Sequence, residues 1–163
     1  MTQVFIGKAV TRSCNRLLIN EGVSNVENLG YYNGKFGPLN EMSIPMNDRV
    51  HWFGDGVYDA GPARNYKIFA IDEHIDRFFN SAELLEIEMP CTKQELKDLL
   101  NKLVKKVDTG SQFVYYQVTR GTGIRDHAFT EGPGNLWVML KPATISDGIE
   151  PIKLITEPDT RFF

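Results

Sequence analysis

Residues 92–120, TKQELKDLLNKLVKKVDTGSQFVYYQVTR, change their period halfway along. Leu96, Leu99, Leu100, Leu103, Val104 and Val107 recur every three or four residues, which is the apolar stripe of an amphipathic helix. Thr92 and Glu95 have capping-box spacing, so the start of that helix is marked as well. Asp108-Thr109-Gly110 stops the pattern, and from Gln112 to Arg120 a run rich in Phe, Val and Tyr predicts a strand.

Upstream, Ile75, Phe78, Phe79, Ala82 and Leu85 form a second helical stripe within residues 72–87, with Pro90 just beyond it. Earlier still, from Tyr31, short strand-like pieces are separated by turn residues, and Asn33-Gly34 is a hairpin signal because a type I′ turn needs positive φ at both central positions. Downstream, residues 136–140 and 152–156 are further short apolar runs that predict strands. Strands, then helices, then strands is an α+β order without regular β-α-β alternation. The expected fold is a mainly antiparallel sheet with two helices on one face, and no internal repeat is visible.

The 163 residues amount to one domain, or one domain and the beginning of a second, against the ~100–200 residues usual for a domain. Residues 1–30 read as an N-terminal extension, with only a short capping-box pair at Ser24 and Glu27; residues 31–145 as a small α+β domain; and residues 146–163 as a linker and the first strand of a second domain. Hydrophobic residues at 42% and charged residues at 24% exclude a disordered or low-complexity chain. A net charge of −3 offers no footprint for nucleic acid or an anionic membrane, leaving local Arg or His to bind small anions. No apolar run approaches the ~20 residues that span a bilayer and the start has no signal-peptide pattern, so a cytoplasmic protein is expected. Cys14 and Cys91 lack disulfide or zinc spacing and read as buried thiols.

Three segments could carry chemistry. Gly54-Asp55-Gly56-Val57-Tyr58 brackets an acid with glycines that permit close backbone approach, most simply by a neighbouring strand, and Tyr58 could present its hydroxyl to a cleft or sit in the core. Asp72 and Glu73 suit the positive end of a helix, and Arg77 needs a partner beside Phe78 and Ile75, for which an i,i+4 link to Glu73 is the simplest candidate. Arg120-Gly121-Thr122-Gly123-Ile124-Arg125-Asp126-His127 gathers two arginines and a histidine on a glycine-bearing loop at a strand exit, a receptor for carboxylate or phosphate.

Taken together, Phe53-Gly54-Asp55-Gly56-Val57-Tyr58, Asp72-Glu73-His74-Ile75-Asp76-Arg77-Phe78 and Gln117-Val118-Thr119-Arg120-Gly121-Thr122 occur in the order and spacing of the class IV pyridoxal-phosphate aminotransferases, and residues 31–163 resemble that family. Arg125-Asp126-His127 is most similar to the Arg-x-His of its D-amino-acid aminotransferases. The resemblance implies pyridoxal 5'-phosphate as cofactor, with Arg77 on its phosphate. It implies amino transfer between a D-amino acid and a 2-oxo acid, with Tyr58, Arg125 and His127 forming a trap for the substrate α-carboxylate and Tyr115 close to it. Because the family's arginine and histidine reach in from a partner subunit, it also implies a homodimer with shared sites. The family's Schiff-base lysine would lie beyond Phe163, so no catalytic residue is assigned within the chain, and the chain alone is expected to be inactive. Asp59-Ala60-Gly61-Pro62-Ala63 stands where the family has an unbroken strand, and a proline there is expected to remove a ladder hydrogen bond. A branched-chain aminotransferase, an aminodeoxychorismate lyase and a non-catalytic dimerisation or ligand-binding module are the alternatives.

Overall fold

Asn33 and Gly34, at φ 43° and 96°, turn the chain between β1 (Leu29–Tyr32) and β2 (Lys35–Pro38) with Tyr32 opposite Lys35, the hairpin that the Asn-Gly pair predicts. The protein is described here by a computed structural model covering residues 27–160. Cys14 and the Ser24 half of the expected capping pair lie outside the described residues. A single helical turn, α1 (Val50–Phe53), leads into β3 (Gly56–Arg64). A second tight turn, with Asn65 and Tyr66 at φ 52° and 60°, joins β3 to β4 (Lys67–Ile68). Then come α2 (Ile71–Leu84), α3 (Lys93–Leu103), β5 (Gln112–Thr119) and β6 (Asn135–Pro142).

The strands form one sheet in the order β2-β1-β6-β5-β3-β4, and every neighbouring pair is antiparallel. Because side chains alternate across a strand, one face of the sheet collects Leu29, Tyr31, Ala63, Val114, Tyr116, Val118, Leu136, Val138 and Leu140, all buried. Against it pack Ile75, Phe78 and Ala82 of α2 and Leu96, Leu99, Leu100 and Leu103 of α3, in one continuous core. The ring of Phe78 meets Tyr116 edge-on at 4.9 Å. Both helices therefore lie on one face, as expected. The capping box forms as expected, with Glu95 N–H donating to the Thr92 hydroxyl and Thr92 N–H to the Glu95 carboxylate. Lys93–Asp76 and Lys97–Asp72 ion pairs tie the two helices together at the surface.

Three expectations are corrected. Gly61 and Pro62 do not break β3, which pairs with β5 along Gly56–Ala63. The Pro62 carbonyl accepts from Phe69 N–H at 3.0 Å, and the nitrogen and oxygen of one strand residue face the same side. The absent N–H is thus on the outer edge of β3, where a ladder bond to β5 is not lost. Residues 152–156 form no strand: Ile152, Leu154 and Ile155 are exposed, and no partner strand is available to them among the described residues. The expected boundary at residue 31 falls inside β1, which begins at Leu29 because Leu29 pairs with both Pro38 and Leu140. Cys91 is buried in the core, and among the described residues no helix is long and apolar enough to cross a membrane.

Leu85, assigned to the helical stripe by its spacing, sits after the last turn of α2 and is 46% exposed, whereas Leu99 is fully buried. Chemical denaturation should therefore separate them. Leu99→Ala will cost about 2–5 kcal/mol, and Leu85→Ala about 0.5 kcal/mol or less.

Candidate active site

Asp55, between two glycines, is held by two guanidinium groups. Arg49 Nε donates to its Oδ2 at 2.8 Å, and Arg120 Nε lies 3.0 and 2.9 Å from its two oxygens. All three side chains are largely buried. Burial opposes ionisation of Asp55, but the hydrogen bonds and charges of Arg120 and Arg49 outweigh it and hold the carboxyl below the usual carboxylate range. Each arginine has donors left over. Arg120 directs Nη1 and Nη2 to the carbonyls of Glu86 and Leu85 at the end of α2, and Arg49 directs Nη1 to those of Asp126 and Ala128 in the loop after β5. Gly56 is a glycine because a Cβ there would stand 2.8 Å from the Val118 carbonyl, so the approach its sequence suggested is that of a neighbouring strand.

Two residues further on, alternation divides Tyr58 from Asp59. Asp59 points to the helix face, where its side chain is 1% exposed. It accepts from Arg77 Nε and Nη2 at 2.7 Å each and lies 2.8 Å from His74 Nδ1. Burial again opposes its ionisation, and Arg77 and His74 reverse the balance and lower its pKa. The partner of Arg77 is therefore Asp59 on β3, which replaces the expected link to Glu73; only the packing of α2 on β3 brings the two together. Arg77 itself remains exposed, and its Nη1 makes no hydrogen bond among the described residues.

Tyr58 points to the opposite face of the sheet and is 65% exposed. Its ring stacks on Tyr115 at 5.2 Å, and Tyr115 in turn meets Trp137 at 5.2 Å and donates its hydroxyl to Gln117 Oε1 at 2.7 Å. Burial and the adjacent Tyr58 push the Tyr115 phenol upward, so it stays protonated and a donor. Tyr58 and Arg77 flank the outer edge of β3 from opposite sides, along the stretch before Ala63 that β4 does not cover.

The loop after β5 is divided in the same way between committed and available donors. Arg120, grouped by sequence with a possible anion receptor, is fully engaged by Asp55, Leu85 and Glu86 and lies over the Phe129 ring at 3.8 Å. Arg125 and His127 are exposed and gather around Phe53, with the Arg125 guanidinium carbon 5.1 Å from the ring centroid and the His127 ring 5.6 Å away. Neither makes a hydrogen bond among the described residues, so their donors are open to a ligand. No hydrogen bond, ion pair or ring contact joins them to Tyr58, Tyr115 or Arg77 within the described chain.

Of four residues that organise this region, Phe53, Asp59 and His74 stand in quoted motifs without a role of their own, and Arg49 stands in none. Alternation could have placed Asp59: an acid one position after Tyr58 in a strand must face away from it.

A profile of the family described as amino-transferase class IV matches residues 56–162, and the chain belongs to that family. D-alanine aminotransferase of Staphylococcus haemolyticus is 35% identical over 99 residues, covering 61% of this chain and 35% of that one. The enzyme of the same name from Listeria monocytogenes serovar 1/2a (strain ATCC BAA-679 / EGD-e) is 35% identical over 128 residues, covering 75% and 44%. The chain thus spans less than half the length of these curated relatives. Among solved structures, the branched-chain amino acid aminotransferase of T.th. complexed with N-(5'-phosphopyridoxyl)-L-glutamate superposes with a TM-score of 0.62 at 22% identity, over 74% of this chain and 42% of that one. The branched-chain enzyme of Escherichia coli gives 0.65 at 15% identity, over 72% and 42%. At such identities these two share the fold.

The lowered pKa values of Asp55 and Asp59 fix the sign of an acid response. Groups ionised more readily when folded contribute stability above their unfolded pKa of about 3.9 and lose it as pH falls through the folded value. Unfolding free energy will fall below about pH 4, with a shallower slope in Asp55→Asn. That substitution, by leaving two buried guanidinium groups without their anion, will itself cost about 3–5 kcal/mol at neutral pH.

Proposed function

We propose that this chain is the small N-terminal domain of a cytoplasmic, pyridoxal-phosphate-dependent aminotransferase that moves an amino group between a D-amino acid and a 2-oxo acid. Residues up to about 145 make up that domain, and residues 146–163 lead toward a second one. The reading rests on one observation above the others: buried Arg49 and Arg120 are committed to Asp55 and backbone carbonyls, while Arg125, His127 and Arg77 Nη1 keep free donors at the surface. The D-alanine aminotransferase names of the relatives supply the substrate class.

The residues present fit the cofactor's phosphate. An exposed guanidinium with one uncommitted nitrogen stands beside the open edge of β3, and Asp59 holds it in place through its other two nitrogens. Pyridoxal phosphate, when bound, supplies the electron sink that labilises bonds to the amino acid's α-carbon. Arg77 holds the phosphate. Arg125 pairs with the α-carboxylate through parallel N–H donors, His127 donates beside it, and the Tyr58 hydroxyl adds a donor from the open face of the sheet, where Tyr115, its own O–H given to Gln117, backs the Tyr58 ring. Since, among the described residues, nothing joins Arg125 and His127 to Tyr58, a homodimer in which each copy lends this pair to its partner's site accounts for both sets of donors.

Steady-state kinetics of the full-length enzyme test the assignment. Arg125→Leu should lose most D-alanine turnover while retaining cofactor, and His127→Ala should be milder. Arg77→Ala should weaken cofactor retention by about tenfold, as expected for a charge-assisted contact. A wild-type preference for L-leucine or aminodeoxychorismate over D-alanine would move the protein to a branched-chain aminotransferase or a lyase.

A further inference from the structure

Arg49 is 2% exposed and shares Asp55 Oδ2 with Arg120. Arg120 reaches both Asp55 oxygens through one shared Nε–H, and Arg49 Nε adds a second donor to Oδ2; that contact accounts for only part of the donor set of Arg49. The unusual feature of Arg49 is where its remaining donor goes. A single nitrogen, Nη1, reaches the carbonyls of Asp126 at 2.7 Å and Ala128 at 2.9 Å, the two residues on either side of His127. The Asp126 carboxylate accepts from Ala128 N–H at 3.3 Å, closing the same short turn from its other side. The main chain is laced to the loop as well, by Arg49 N–H to the Gly121 carbonyl and Gly123 N–H to the Asn47 carbonyl, each 3.0 Å. One helical turn after Arg49, Phe53 lies within ring contact of Arg49, Arg125 and His127.

We propose that Arg49 is a positioning residue for amino-acid recognition: braced by Asp55, it fixes the Asp126-His127-Ala128 turn and, with Phe53, sets where Arg125 and His127 present their donors. This rests on the reading of Arg125 and His127 as the carboxylate trap. A carboxylate is captured bidentately only within narrow limits of distance and angle, so a turn free to shift by about 1 Å would bind substrate poorly even with every trap residue present. Arg120 provides the internal control. It shares Asp55 and is comparably buried, but its remaining donors hold the end of α2 rather than this turn.

The test uses the full-length enzyme, with D-alanine as amino donor, and compares Arg49→Lys, Arg120→Lys, Arg125→Leu and the Arg49→Lys/Arg125→Leu double variant. KM and kcat, bound-cofactor absorbance and thermal midpoint are measured for each, with single-turnover half-reactions where steady-state rates are too slow. Arg49→Lys should raise KM about tenfold with cofactor content unchanged, and should add nothing further in the Arg125→Leu background. Arg120→Lys should lower the thermal midpoint without that rise in KM. An Arg49→Lys effect of equal size in both backgrounds, or one reproduced by Arg120→Lys, overturns the inference. If Arg49→Lys does not fold, Phe53→Leu replaces it with the same expected rise in KM, and an unchanged KM counts against the proposal. If Arg125→Leu leaves KM unaltered, the trap reading fails and this inference with it; if Arg125→Leu raises KM and Arg49→Lys does not, this inference alone fails.

Discussion

One carboxylate holds the candidate-site end of the sheet together. Asp55 accepts from Arg49 and Arg120 at once, and through the other donors of those two arginines it ties α1, the end of α2 and the loop after β5 to a single point. A buried ion pair is a poor source of net stability, since desolvation offsets most of the attraction. What it provides here is direction. Guanidinium forks are planar with fixed donor vectors, so satisfying Asp55 also determines which carbonyls the remaining nitrogens can reach.

The same division between committed and available donors runs through the whole candidate site. Arg77 gives two nitrogens to Asp59 and keeps a third at the surface, Arg120 is fully engaged, and Arg125 is held only by a ring. With Arg49, four arginines close in sequence to acids or aromatics thus have four different roles. Their residue type does not distinguish them; the hydrogen-bond partners do.

Sheet geometry accounts for the separation of the site into parts. Successive residues of β3 face opposite ways, so Tyr58 joins an aromatic row with Tyr115 and Trp137 on one face while Asp59 anchors Arg77 on the other. Between them lies an edge that β4 covers only at Ala63 and Arg64. A ligand at that edge can be approached from both faces, which a site in the middle of a sheet would not allow.

Much of the fold could be read from local pattern. The Asn33-Gly34 hairpin, the Thr92–Glu95 box, the stripe of α3 and the strand from Gln112 each depend on residues within a few positions of one another, and each formed where expected. The order of those elements also determined the α+β class, and motif spacing pointed to the family. Strand β3 was obscured because Gly61 and Pro62 read as punctuation, and only the pairing with β5 shows that the proline's missing donor faces outward. Residues 152–156 have the composition of a strand, but among the described residues no strand lies beside them, and composition alone does not supply a pairing. The partners of Arg77, Arg49 and Arg120 were likewise beyond sequence, because each depends on segments 6 to 79 residues apart meeting in space. Local sequence decides backbone conformation through steric and hydrogen-bonding preferences of neighbouring residues; which charge meets which is decided only when the helices close over the sheet and water is excluded from between them.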